Sequence, residues 1–141
     1  NPKDANINFS INKRLGRVEY MPFAPVILEE FADDILINWS KDHHSSQHMT
    51  LVYKVKEKWK NVIPGVVHID GTVRPQVINK QTNRFYYNIL LEYYKISNIP
   101  VLINTSFNIH GEPMVRTVND GIKALKQGRI DILVAENRII K

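Results

Sequence analysis

Residues 100–113 read Pro-Val-Leu-Ile-Asn-Thr-Ser-Phe-Asn-Ile-His-Gly-Glu-Pro. The first part of this stretch is a short apolar run that is typical of a buried strand. Polar residues follow directly, and ligands of open α/β sheets bind where the strands end. The groups available there are Asn104, Thr105, Ser106 and Asn108, with Gly111 allowing a turn or a close ligand approach. A polar loop that satisfies its own backbone is the alternative interpretation.

The rest of the chain predicts helices and strands in mixed order. Apolar spacing predicts helices at residues 26–39, 83–98 and 117–128, the second capped by Asn83 and the third by a capping box from Thr117 to Asp120. Predicted strands lie at residues 49–55, 100–103, 130–135 and 138–140, and a hairpin runs from 66–70 through an Asp70-Gly71 turn to 73–78. Residues 41–47 are predicted to form an exposed loop. This order indicates an α/β (α+β type) fold in which helices pack on a mixed sheet.

Composition limits the class of protein. The 141 residues, 43% of them hydrophobic, suit one domain, 1–141. With no cysteine, the chain has no disulfide, thiolate zinc site or cysteine nucleophile. No apolar run approaches the roughly 18 residues of a membrane helix, so we expect a soluble, cytoplasmic protein with no membrane partner. The chain opens at Asn1-Pro2 without an initiator methionine, and we expect it to be part of a longer protein.

Charge favours anionic partners. Nineteen Lys and Arg against fourteen Asp and Glu give a net charge of +5, which suits phosphates, nucleotides or nucleic acid. A histidine-rich stretch, with His43, His44 and His48, is interpreted as surface loop rather than a metal site. Four tyrosines at helical spacing are interpreted as packing residues rather than as a base-stacking platform: Tyr86, Tyr87, Tyr93 and Tyr94.

Three separated segments carry residue types that a phosphate or adenylate site needs. Residues 12–25 place Lys13, Arg14 and Arg17 before a proline-stiffened turn. Residues 68–76 place Arg74, whose planar fork suits phosphate or carboxylate, beside the predicted hairpin. Residues 102–113 form the third segment. Each segment alone is a weak indication.

Together these segments resemble the C-terminal domain of the O-carbamoyltransferases, which modify nodulation factors, antibiotics and other sugar-bearing products. The family patterns are Arg-x-Glu-aromatic-Met/Arg-Pro-Phe-Ala-Pro, His-x-Asp-Gly-Thr-x-Arg-x-Gln and Asn-Thr-Ser-Phe-Asn-x-x-Gly-Glu-Pro. This chain carries them, in that order, at residues 17–25, 68–76 and 104–113. Gly16 departs from the family, since many relatives carry lysine there. Lys13 and Arg14 are candidates to supply that charge, and reduced affinity for carbamoyl phosphate is the alternative.

The resemblance implies a fold and an activity. The fold is a YrdC-like twisted mixed sheet with flanking helices, and the activity is formation of carbamoyl-adenylate from carbamoyl phosphate and ATP with release of pyrophosphate. An N-terminal Kae1-like domain of the same polypeptide, absent from this chain, then passes the carbamoyl group to an acceptor hydroxyl on a sugar or natural product. Magnesium would arrive with ATP, and no metal ligands are assigned to the protein. The expected partners are therefore small-molecule substrates and that domain, and nucleic acid is not expected as a partner.

The same resemblance assigns the site residues. Arg17 and Arg74 would clamp phosphate oxygens, and Ser106 and Asn108 would donate hydrogen bonds to phosphate or carbamoyl oxygens. Substrate or nucleotide binding is further assigned to Lys13, Arg14, His68, Asp70, Thr72, Asn104, Thr105, Gly111 and Glu112.

Other interpretations stay open for several of these residues. His68 and Asp70 could be an acid/base pair or could hold the hairpin together. Glu112 could orient Arg74, bind magnesium or have a structural role in its loop, and Arg116 could contact phosphate or be solvated. The alternative function is a non-catalytic nucleotide- or RNA-binding module, although the chain lacks an RNA-binding aromatic motif on a strand.

Overall fold

The computed structural model describes residues 1–18 and 22–141. Its elements are α1 (Ile7–Arg14), β1 (Ala24–Leu28), α2 (Glu29–Ile35), β2 (Tyr53–Lys54), α3 (Glu57–Lys60), β3 (Thr72–Val73), β4 (Gln76–Ile78), α4 (Arg84–Ser97), β5 (Val101–Asn104), α5 (Val118–Lys126), β6 (Leu133–Ala135) and β7 (Arg138–Ile140). They form two compact units: unit 1 contains Asn1–Asn8 and Pro22–Thr105, and unit 2 contains Phe9–Met21 and Ser106–Lys141. Among the described residues, no helix is both long and apolar enough to cross a membrane.

Unit 1 is built on a three-stranded sheet of order β4-β1-β5. The central strand, β1, is parallel to β4 and antiparallel to β5. This mixed sheet with helices packed on it confirms the predicted α/β class. Pro25 is tolerated in a central strand because pairing with β4 begins only at Val26, which leaves Pro25 paired on one side.

Side chains alternate across this sheet and bury both of its faces. Ile27, Val77 and Val101 lie in one core cluster, together with Ala32 and Ile35 of α2. Val26, Leu28 and Ile78 lie in a second cluster, against Tyr87 and Leu90 of α4. Tyr86, Tyr93 and Tyr94 pack against these clusters, which confirms that the tyrosines are packing residues.

The predicted helix at residues 26–39 was wrong at its start. Residues 26–28 are part of β1 and wholly buried, and the helix begins at Glu29 and ends at Ile35. A short apolar run has no polar face to reveal its period, so a buried strand and a buried helical turn look alike in sequence.

The predicted hairpin was also wrong. A tight turn does form at Asp70-Gly71, where the His68 amide donates to the Thr72 carbonyl at 2.8 Å. However, β3 pairs with β2, and β4 pairs in parallel with β1 instead. The strand predicted at 66–70 does not form, since residue 66 ends a 3-10 turn at residues 64–66 and residues 69–70 lie in the tight turn. The strand predicted at 49–55 is limited to β2.

Residues 41–47 are more ordered than the predicted loop. His44–His48 form a 3-10 helix, and Ser46 within it is buried. The buried hydroxyl accepts a hydrogen bond from the Trp39 indole at 3.1 Å. This tertiary contact pulls the segment inward, and its polar composition gave no indication of it.

Both predicted helix caps are confirmed. The Asn83 side chain accepts a hydrogen bond from the Tyr86 amide at the start of α4. In unit 2, Thr117 and Asp120 form the capping box that starts α5. α5 packs on the hairpin of β6 and β7 at Gly121, where a Cβ atom would lie 2.9 Å from Leu133 Cδ1. Glycine at this position is what lets helix and hairpin approach so closely.

Candidate functional site

The strands of the unit 1 sheet bring two of the predicted site segments, residues 68–76 and 102–113, to the same end of the sheet. β1 and β4 begin there because they are parallel, and β5 ends there because it is antiparallel to β1. Ala24 is opposite Asn104, and Val26 is opposite Gln76. The Asn104 amide donates to Gln76 Oε1 at 3.0 Å and so ties β5 to β4 across the start of β1. Thr105 follows Asn104 and is exposed.

A cavity of about 220 Å³ in unit 1 contains two of the predicted residues, Arg74 and His68. Its other walls are Pro22, Phe23, Ala24 and Val52. The volume is below the roughly 300–1,000 Å³ of sites for drug-sized ligands, so it suits a small molecule of a few heavy atoms.

Arg74 supplies the positive charge of this cavity. Its side chain is exposed between β3 and β4. Within residues 1–18 and 22–141, its guanidinium forms no hydrogen bond or ion pair. An uncommitted guanidinium keeps all its donors for an anionic ligand.

A hydrogen-bonded chain fixes the orientation of His68. Thr72 Oγ1 lies 2.6 Å from Asp70 Oδ1 and 3.1 Å from His68 Nδ1. The pKa of Asp70 is lowered by the hydrogen bonds from the Thr72 side chain and backbone, so this carboxylate is an acceptor. The single hydroxyl proton of Thr72 therefore goes to Asp70, and Oγ1 accepts the Nδ1 proton of His68. Nε2 is the ring nitrogen left for a ligand.

His68 and Asp70 are linked through Thr72 at a turn rather than by direct contact on a strand.

The basic residues of the first motif lie in unit 2 in different states. Lys13 is exposed. Arg14 makes a two-pronged ion pair with Asp131 at 2.7 and 3.0 Å, which holds the pKa of that carboxyl below its ordinary value. Arg17 is half-buried, and its pKa is lowered by burial. Residues 19–21 of the motif lie outside the described residues.

The loop after Ser106 is closed by its own hydrogen bonds. The amide group of Asn108 donates to the carbonyls of Ile109 at 3.1 Å and Glu112 at 2.7 Å. Both side-chain protons are thus used, which leaves Asn108 an acceptor rather than the donor that we expected. Ser106 is exposed, and Gly111 has φ +83°, a conformation that glycine adopts without strain.

Glu112 has a partner within its own unit. Its carboxylate binds Arg129 at 2.7 and 3.4 Å, and this contact lowers the pKa of Glu112. This contact agrees with a structural role for Glu112 in its loop.

Unit 2 also contains a cleft of about 450 Å³ between the segment after Gly111 and α5. Its charged walls are Glu112, Arg116, Asp120, Lys123 and Arg129, and Met114 is among its apolar walls. Lys123 and Arg129 were missed in the sequence because only the packing of α5 brings them to residues 112–116, and Met114 was missed because nothing in the sequence marks it as part of a cleft. The capping box was the one available indication, since it fixes which face of α5 carries Asp120 and Lys123.

The described residues contain no group of three or more His, Asp or Glu side chains that could hold a metal ion. In the histidine-rich stretch, His43 Nδ1 is hydrogen-bonded to the Tyr53 hydroxyl at 3.0 Å.

Comparison with known proteins gives the family. The family described as Carbamoyltransferase C-terminus matches residues 1–141. The chain is 45% identical over 130 residues to an uncharacterized protein of Methanocaldococcus jannaschii, covering 92% of this chain and 25% of that protein. It is 34% identical over 135 residues to nodulation protein NolNO of Sinorhizobium fredii, covering 96% of this chain and 19% of that protein.

A third relative is nodulation protein NolO of Bradyrhizobium diazoefficiens, 35% identical over 128 residues, with 91% of this chain and 23% of that protein covered. The chain thus spans between 19% and 25% of the length of these three relatives. The family match covers every residue, and the chain belongs to the carbamoyltransferase C-terminus family.

Proposed function

We propose that this chain is the C-terminal part of an O-carbamoyltransferase and that the cavity of unit 1 binds carbamoyl phosphate. The observation that carries the proposal is the Arg74 guanidinium, which makes no hydrogen bond or ion pair with any residue that the structure describes and lines a cavity of about 220 Å³ together with His68. Carbamoyl phosphate is small, and its phosphate dianion suits the planar fork of an arginine.

His68 supplies recognition of the other end of the molecule. Nδ1 is occupied by Thr72, so a neutral His68 presents Nε2 as an acceptor. The carbamoyl group carries an NH2 that can donate to Nε2. Acetyl phosphate has the same shape with a methyl group instead, and leaves Nε2 without a donor. Arg74 therefore recognises the charge of the phosphate, and His68 recognises the NH2 of the carbamoyl group.

In the proposed reaction, this part of the polypeptide catalyses two steps. Water cleaves carbamoyl phosphate to carbamate and inorganic phosphate. A carbamate oxygen then attacks the α-phosphorus of ATP, the bond to the β-phosphate oxygen breaks, and pyrophosphate leaves. The product is carbamoyl-adenylate, and Arg74 contributes by neutralising the anions that must approach each other. Magnesium would enter on the phosphates of ATP.

The carbamoyl group is then handed to an acceptor hydroxyl, with AMP as leaving group, by the N-terminal Kae1-like domain that the family resemblance implies. The lengths of the relatives agree with a longer polypeptide, since this chain covers about a quarter or less of each.

The test uses the longer polypeptide that includes this chain. It should catalyse exchange of labelled pyrophosphate into ATP only when carbamoyl phosphate is supplied, and Arg74→Gln should reduce that exchange at least tenfold. Absence of exchange in the folded wild-type protein would refute the proposal. Steep salt-dependent RNA binding without exchange would favour the non-catalytic alternative instead.

A further inference from the structure

Four lysines alternate along residues 54–60, and one of them differs from the others in its contacts. They are Lys54, Lys56, Lys58 and Lys60. Lys56 donates to a backbone carbonyl of α2, Lys58 pairs with a carboxylate of α2, and Lys60 pairs with Glu57 of α3. Lys54 is exposed, and its ammonium makes no hydrogen bond or ion pair with residues 1–18 or 22–141. Its charge is therefore left for another partner.

The antiparallel pair of β2 and β3, which we call the ribbon, presents Lys54 on its exposed face. Lys54 lies directly opposite Thr72 in the register of the ribbon. The neighbouring pair, Tyr53 and Val73, is buried in the core of unit 1. Because successive side chains of a strand point to opposite faces, Lys54 and Thr72 share the outer face.

The same outer face forms part of the wall of the unit 1 cavity. Val52 lies two residues before Lys54, Arg74 lies two residues after Thr72, and both line the cavity. Both are exposed, as the alternation along the two strands requires. The register puts Arg74 diagonally across from Lys54, at a spacing of roughly 7–8 Å that long side chains can span. Lys54 is thus placed beside the cavity, next to two of its walls.

A nearby carboxylate does not take up the charge of Lys54. Asp70, in the turn before Thr72, accepts hydrogen bonds from the Thr72 amide at 3.0 Å and from its hydroxyl at 2.6 Å. None of the ion pairs among the described residues joins Asp70 to Lys54. The ammonium of Lys54 and the guanidinium of Arg74 can therefore act on the same ligand.

Two cations beside one small cavity suit a phosphate better than a carboxylate. The planar fork of Arg74 can bind two oxygens of either group, and a lysine adds a point charge. A phosphate carries about −1.5 to −2 charge at pH 7 and has three acceptor oxygens, so it has both an oxygen and a charge left for Lys54. A carboxylate has two oxygens and one charge, which Arg74 alone satisfies.

We propose that Lys54 is a second phosphate-binding residue of the unit 1 cavity, and that together with Arg74 it selects a phosphate over a carboxylate. The inference rests on the proposed function, since it concerns the phosphate end of carbamoyl phosphate. It adds a substrate-binding residue and a basis for specificity that the three sequence motifs do not contain.

The experiment is calorimetric titration of the 141-residue chain with carbamoyl phosphate, acetyl phosphate and inorganic phosphate. Lys54→Gln should weaken binding of all three at least about fivefold, because all three carry the phosphate. The ratio of the affinities for carbamoyl phosphate and acetyl phosphate should not change, since His68 is untouched. Lys54→Arg keeps the charge and should bind within about twofold of wild type.

Lys80→Gln is the matched control. It removes the same charge from an exposed lysine of unit 1, and Lys80 follows β4 whereas Arg74 precedes it. Malonamate, which carries a carboxylate in place of the phosphate, tests the selectivity. It should bind the wild-type chain at least about tenfold more weakly than carbamoyl phosphate, and equal affinity for the two would overturn the selectivity.

Wild-type affinity in Lys54→Gln, or an equal loss in Lys80→Gln, would overturn the role of Lys54. If Arg74→Gln weakens carbamoyl phosphate binding and Lys54→Gln does not, this inference fails and the proposed function stands. If inorganic phosphate binds through both residues and carbamoyl phosphate does not bind, the proposed function fails and the role of Lys54 in phosphate binding stands. Absence of binding of any of these ligands to the folded wild-type chain would overturn both.

Discussion

The hydroxyl of Thr72 lies 3.1 Å from Nδ1 of His68, and it accepts that nitrogen's proton because its own proton is given to Asp70. A residue that does not line the unit 1 cavity thereby decides which nitrogen of a cavity residue is free. Thr72 is a positioning residue in this account, and its effect can be measured separately from that of His68.

Thr72→Val should lower the preference for carbamoyl phosphate over acetyl phosphate. Valine keeps the shape of threonine but cannot accept the Nδ1 proton, so the tautomer of His68 is no longer fixed. We expect the ratio of the two dissociation constants to fall at least fivefold, and Thr72→Ser to retain the wild-type ratio.

Nitrogen-15 NMR of the imidazole gives a readout that needs no substrate. The wild-type chain should show His68 protonated at Nδ1 when neutral, and Thr72→Val should show a mixture of tautomers. A wild-type His68 protonated at Nε2 would contradict the hydrogen-bonded chain.

The ion pair of Glu112 and Arg129 should make part of the stability depend on pH. The pKa of Glu112 is lowered in the folded state by Arg129, so its contribution is present above the ordinary value of about 4.3 and is lost as pH falls through the lower folded value. Glu112→Gln should therefore lower the urea midpoint at pH 7, and the difference should close towards pH 3. A difference that stays constant over this range would show that the charge of Glu112 is not involved.

Gly121→Ala should destabilise unit 2 despite the higher helix propensity of alanine. The new Cβ would lie 2.9 Å from Leu133 Cδ1, and overpacking of this kind costs roughly 1–3 kcal/mol against a propensity gain of about 1 kcal/mol. Thermal unfolding checks this, with Asn119→Ala on the exposed side of α5 as the control. An unchanged or raised Tm for Gly121→Ala would mean that Leu133 moves aside at no cost.

Asn83→Ala should cost about 1 kcal/mol of unfolding free energy because the amide of Tyr86 loses its acceptor at the start of α4. Asn83→Asp should retain most of the stability, since aspartate accepts the same hydrogen bond. Equal losses in both variants would argue against capping as the role of Asn83.

Local chemistry made the caps and the late elements predictable from sequence. Asn83 and the Thr117–Asp120 box announce a helix start within four residues, and α4 and α5 begin where these signals place them. A strand was predicted at 73–78, but the pairing of β4 could not be predicted in the same way, because its partner is β1, some fifty residues earlier, rather than the neighbouring strand. Pairing at such a distance depends on burial of Val77, and no local pattern encodes it.

The candidate site was predictable to a similar extent. Arg74 and His68 stood out through their motif, and the structure places both in one cavity. Lys123 and Arg129 stand in ordinary helix and loop sequence, and become part of a cleft only because α5 packs beside residues 112–116.

Binding of carbamoyl phosphate to the Arg74 cavity tests the central claim most directly. The measurement is the dissociation constant of the 141-residue chain for carbamoyl phosphate, with Arg74→Gln as the variant and exposed Arg84→Gln, also in unit 1 but outside the cavity, as the matched control. A charged hydrogen bond is worth about 1.5–3 kcal/mol, so Arg74→Gln should weaken binding about 10- to 100-fold and Arg84→Gln should not change it. Arg74→Gln binding within twofold of wild type would contradict the account.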